Sequence, residues 1–113
     1  MAVGKKIKNI NPSEVVRLEE LVDYREGQVI SRTLAQIPQA SVTLFSLSKG
    51  EGISAHTTPG DALVQVLDGE AEITIGEKVY TVKAGESIVM TEGISHALEA
   101  RQQFKMLLTV IKG

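Results

Sequence analysis

Apolar and polar residues alternate in short runs over most of this chain, and glycines punctuate the runs. EAEITI (residues 70–75) is the plainest case. Ala71, Ile73 and Ile75 fall on one side of an extended chain, and Glu70, Glu72 and Thr74 on the other. Similar β-rich runs are QVISRTLA (28–35), SVTLFSLS (41–48), ISAHT (53–57) and ALVQVL (62–67). KVYTV (78–82), SIVMT (87–91), SHALEA (95–100) and FKMLLTVI (104–111) follow. Between them stand turn signals: Glu26-Gly27, Pro38, Pro59-Gly60, Ala84-Gly85 and Glu92-Gly93. Asp68-Gly69 reads as a hairpin joining 62–67 to 70–75, and Gly76-Glu77 as a two-residue hairpin with glycine first. Many short strands between glycine-bearing turns predict an all-β fold, either a sandwich or a closed jelly-roll barrel that leaves few bare edges.

The first quarter reads differently. Residues 1–12 carry little pattern, and LEELV supports at most one helical turn, with Leu18, Leu21 and Val22 on one face. The expected organisation is an extended segment over residues 1–27, then one barrel over 28–113.

Composition narrows the function. Of 113 residues, 42% are hydrophobic and 23% charged, as in an ordinary globular domain. With no Cys, disulfides, thiolate metal sites and a catalytic thiol are excluded. The first twelve residues carry lysines with no apolar run after them, unlike a leader or a membrane span, so a cytoplasmic location is expected. Net charge is −2, and the one basic cluster is Lys5, Lys6 and Lys8, so neither nucleic acid nor membrane is an expected partner.

The stretch Gly50–Gly69 and the later run GESIVMTEGISHALEA supply the chemistry. Gly50, His56 and Gly69 fit the pattern G-x5-H-x-H-x(3,4)-E-x6-G, and Gly85, Gly93 and His96 fit G-x5-P-x-G-x2-H-x3-N. Together they resemble the two signature motifs of the cupin superfamily, over roughly residues 41–111. The resemblance implies a double-stranded β-helix barrel. In metal-dependent cupins the ligands are two His and a Glu of the first motif and the His of the second. Here His56 and His96 keep two of those positions, while Thr58 and Ala62 replace the second His and the Glu. Thr91 and Ala100 replace the Pro and Asn of the second motif.

Two imidazoles are a short donor set, because a tight transition-metal site takes three or four protein ligands. The set implies at most a weakly bound divalent ion (Zn, Ni, Fe or Mn); otherwise His56 and His96 are hydrogen-bonded residues of a metal-free pocket. Asp61, beside the vacated carboxylate position, can substitute only if the Pro59-Gly60 turn re-aims it, because adjacent strand residues face apart. The same alternation makes Ser95 a poor partner for His96 in nucleophilic catalysis. Thr58, Ala62, Val64, Val66, Met90 and Leu98 are expected to line the barrel interior, as a ligand cavity or simply as its filling. The reading is a cupin barrel that binds a small molecule without a full catalytic metal site. The alternative is a metal-dependent dioxygenase, isomerase or decarboxylase using the two remaining His. A homodimer is expected, with residues 28–34 offering an edge for pairing.

Overall fold

The computed structural model describes residues 6–113. Residues 1–5, which include part of the expected irregular start and Lys5, lie outside the described residues. Among the described residues, eight strands follow one 3-10 turn at Leu18–Glu20: β1 (Val29–Ile37), β2 (Ala40–Leu47), β3 (Gly52–His56), β4 (Asp61–Ile75), β5 (Lys78–Lys83), β6 (Ser87–Met90), β7 (His96–Glu99) and β8 (Phe104–Ile111). The fold is all-β, with almost no helix, as the alternation and turn spacing predict.

The organising element is β4. The first half of β4 pairs antiparallel with β8 on one side and β6 on the other, in a sheet that β2 and β1 extend. The second half pairs with β5 and β7, and β3 extends that sheet beyond β7. One strand thus belongs to both sheets, which curl around the core between them.

This corrects the expected Asp68-Gly69 hairpin. Residues 62–67 and 70–75 do not fold back on each other; they are one 15-residue strand. At the junction the register with β8 shifts between Val66 and Asp68, a β-bulge that bends the strand. Gly69 sits there at φ +74°, a left-handed conformation that glycine enters without strain. A hairpin would need the two halves to bond each other. Instead Ala84 N–H donates to the Gly69 carbonyl, and Gly85 N–H to that of Val66. The Gly76-Glu77 hairpin does form, with Ile75 opposite Lys78 and Gly76 at φ +61°.

The inward residues of both halves of β4 meet in the main core. Ala62, Val64, Val66, Ala71 and Ile73 pack with Leu47, Met90, Leu98, Phe104 and Met106. A second, smaller core lies on the outer face of the first sheet. There Ile10, Leu18, Leu21 and Val22 of the N-terminal segment cover Leu34, Leu44, Leu67 and Leu107. Tyr24 O–H donates to Asp68 Oδ2 at 2.5 Å, and Ser46 Oγ–H to the Asp23 carbonyl at 2.7 Å. Lys8 N–H and the Asn9 amide reach the carbonyls of Leu34 and Thr33 on β1. No helix of the described residues is long and apolar enough to cross a membrane.

Candidate functional site

β3 ends and β7 begins at one end of the second sheet, and each contributes a histidine there. β3 carries one extra residue between Ile53 and His56, and this offset sets His56 directly opposite His96. The ring centroids are 4.4 Å apart, with the planes at 71°, edge to face. His96 is buried, at 2% exposure, whereas His56 is open to solvent.

Both rings are oriented in the same way. His56 Nδ1 lies 2.8 Å from the Ser54 carbonyl oxygen, and His96 Nδ1 lies 3.2 Å from that of Ile94. A carbonyl only accepts, so these bonds put the proton on Nδ1 and leave Nε2 an unprotonated acceptor in the neutral ring. Among the described residues no buried side-chain nitrogen or oxygen lacks a partner, and no protein group bonds His96 Nε2. That nitrogen is therefore accessible despite the burial of its ring. Burial holds the His96 pKa below its ordinary value, His56 beside it lowers it further, and the Ile94 carbonyl opposes both.

The pair borders a cavity of about 430 Å³. Of the residues expected to line it, Thr58, Ala62, Met90 and Leu98 do so, with His56 and His96. Val64 and Val66 do not: both are fully inside the main core. They point inward as their period requires, but further along β4 the space between the sheets is filled by Leu47, Phe104 and Met106. Phe45, Ile53, Met106 and Leu108 also line the cavity and were missed. Alternation in FKMLLTVI groups Met106 with Leu108, but the pairing that turns this face inward is long-range. A wider concavity of about 600 Å³ runs between the N-terminal segment and Arg32, away from both histidines.

The donor set does not fit a tight metal centre. Among the described residues no group of three or more His, Cys, Asp or Glu is placed to hold a metal ion. Thr58 Oγ1–H donates to the Gly60 carbonyl at 2.9 Å, and Ala62 presents only a methyl. Asp61 is not re-aimed. It stays exposed on the opposite side of β4 from Ala62, and its Oδ1 accepts the Glu92 N–H at 2.8 Å, tying β4 to the loop after β6.

The family model described as "Cupin domain" matches residues 43–112. A conserved protein of unknown function from Streptococcus pyogenes is 46% identical, with TM-score 0.94 over 96% of this chain and 95% of that one. A cupin superfamily protein from Desulfitobacterium hafniense is 30% identical, with TM-score 0.91 over 96% of this chain and 99% of that one. A salicylate 1,2-dioxygenase from Pseudoaminobacter salicylatoxidans shares the fold at 14% identity, with TM-score 0.68 over 74% of this chain and 25% of that one. No curated protein matches the chain in sequence.

Proposed function

Because this chain belongs to the cupin family, we propose that it is a binding barrel, holding a small organic molecule in its mouth without a catalytic metal. The observation that carries this reading is the pocket itself. Its volume of about 430 Å³ falls in the usual range for ligand sites, and its walls are mainly apolar, with a few converging polar groups. Two of the four ligand positions of metal-dependent relatives hold a threonine already bonded to backbone and an alanine. Met90 and Met106 give the wall side chains that adapt to irregular shapes.

Native mass spectrometry of the purified protein tests the reading. A retained organic ligand, lost when Ala62→Phe fills the cavity, is the expected result. One equivalent of transition metal, lost in His96→Ala, would replace this reading with the metal-dependent enzyme. The proposal includes a two-fold homodimer, supported by the edge position of β1, which among the described residues pairs with no strand but β2 and takes only the Lys8 and Asn9 bonds on its other side, and by the exposed apolar residues Val29 and Ile37 at its ends.

A further inference from the structure

We infer, on the reading that the barrel mouth is a binding site, that its occupant is a neutral, apolar, ring-sized molecule bearing a hydroxyl, a simple phenol or cyclic alcohol, whose O–H donates to a histidine Nε2.

The argument starts from which hydrogen-bonding roles remain open. His56 and His96 each commit Nδ1–H to a backbone carbonyl, so each offers Nε2 as an acceptor. Thr58 commits its hydroxyl proton to the Gly60 carbonyl and keeps only lone pairs. Among the described residues, Ser54, exposed at the rim, is the one lining side chain whose hydroxyl is free to act in either role. The lining side chains thus accept hydrogen bonds and barely donate them.

Charge points the same way. Among the described residues no Lys, Arg, Asp or Glu lines the cavity. A carboxylate or phosphate would enter with neither a cation nor a set of donors to replace its water, which strongly disfavours it. An ammonium would meet acceptors but no counter-charge. A neutral donor meets what the site offers.

Shape sets the remainder. Phe45, Ile53, Met90, Leu98 and Met106 supply apolar walls. A dry cavity of about 150 Å³ already admits benzene, so this one has room for a substituted ring. An occupant without a donor would cover the Nε2 atoms and leave them unpaired, which is the costly case for a buried acceptor.

Three probes of equal ring size separate the ideas: p-cresol, 4-methylanisole, which lacks the O–H, and 4-methylbenzoate, which is charged. Each is titrated into full-length protein at neutral pH. The methyl resonances of Met90 and Met106 report occupancy, and the imidazole nitrogen shifts report hydrogen bonding. The expected result is that p-cresol binds roughly 10–100-fold more tightly than 4-methylanisole, moves the unprotonated nitrogen of at least one histidine, and outcompetes 4-methylbenzoate. Equal binding of cresol and anisole, or tighter binding of the benzoate, overturns the ligand class and leaves the pocket reading standing. A nitrogen spectrum showing Nε2 protonated in both rings also overturns it. Undisturbed methionine methyls with all three probes overturn the inference and the pocket reading together.

Discussion

His56 and His96 face one another across β3 and β7, 4.4 Å between ring centres, with the two Nδ1 atoms turned away onto carbonyls of their own strand or the preceding turn. The pair is close enough that a proton on one ring opposes a proton on the other. Burial adds to this at His96, whose pKa is lowered by desolvation first and by His56 second.

A pH dependence of stability follows. The unfolded chain binds a proton at His96 near the ordinary value of about 6.5, and the folded chain only at lower pH. Between the two values the unfolded state holds more protons, so stability is complete above the unfolded pKa and is lost as pH falls through the folded one. Urea midpoints taken from pH 7.5 down to 5 should decline, and the decline should shrink in His96→Gln. An unchanged pH slope in that variant would assign the effect elsewhere.

The bend in β4 gives a second prediction. A Cβ at Gly69 would lie 2.1 Å from the Gln103 carbonyl oxygen, at φ +74°. Gly69→Ala therefore combines left-handed strain with a backbone clash and should cost at least ~2 kcal/mol. At Gly76, φ is +61° but the nearest atom to such a Cβ is a side-chain carbon 4.0 Å away. Gly76→Ala should cost only the conformational part, about 1 kcal/mol. Chemical denaturation of both variants checks the ordering.

The same glycine shows where sequence reading succeeds and stops. Ala71, Ile73 and Ile75 lie on the expected side because alternation is a property of the strand alone. Gly76-Glu77 was legible because a two-residue hairpin closes on its own neighbours. Asp68-Gly69 carries an equally good local hairpin signal, yet strands more than a dozen residues away take the backbone bonds it would have used. The histidines were found through motif spacing. Their carbonyl partners, the bulge that sets them opposite, and Phe45 on the cavity wall depend on pairings that no local pattern records.

Tyr24 and Asp68 supply a third prediction, 44 residues apart in sequence. The Tyr24 pKa is pushed above its ordinary range, by burial first and then by the Asp68 carboxylate that accepts its proton. Lys105 Nζ, from β8, stands 4.8 Å from the ring centre. The folded state keeps the phenolic proton after the unfolded state has lost it. Stability is therefore complete below about pH 10, the ordinary tyrosine value, and falls as pH rises beyond it. Tyr24→Phe should lower stability by roughly 0.5–1.5 kcal/mol at pH 7 and flatten the alkaline decline. An equally steep decline in Tyr24→Phe would remove Tyr24 as its cause.

The proposed dimer is checked by mass. Val29 and Ile37 are 37% and 40% exposed at the two ends of β1, whose far side carries no strand among the described residues. Light scattering at micromolar concentration should give about twice the 12.2 kDa of one chain. The monomer mass would refute the pairing.

The last prediction concerns the two vacated ligand positions. Thr58 and Ala62 line the same cavity as His56 and His96, so replacing them with His and Glu directs two more donors into one space. Losing even an outer partner of a ligand typically weakens metal affinity ~10–100-fold. Two missing direct ligands should matter at least as much each, or roughly 10²–10⁴-fold together if the effects multiply. The carboxylate would also balance the cation's charge, which neutral imidazoles cannot. The Nδ1 bonds to Ser54 and Ile94 leave Nε2 as the unprotonated nitrogen of both neutral rings, the one a metal would take. Without metal, a carboxylate at the fully buried position 62 should be destabilising, because no cation among the lining residues compensates it. Thr58→His with Ala62→Glu should therefore melt below wild type as purified without metal, regain that loss on adding zinc, and bind zinc at least ~10²-fold more tightly by calorimetry. Equal zinc affinity in the two proteins would show that the four positions do not converge. Tight binding by wild type alone would show that a donor outside the His pair already completes a site.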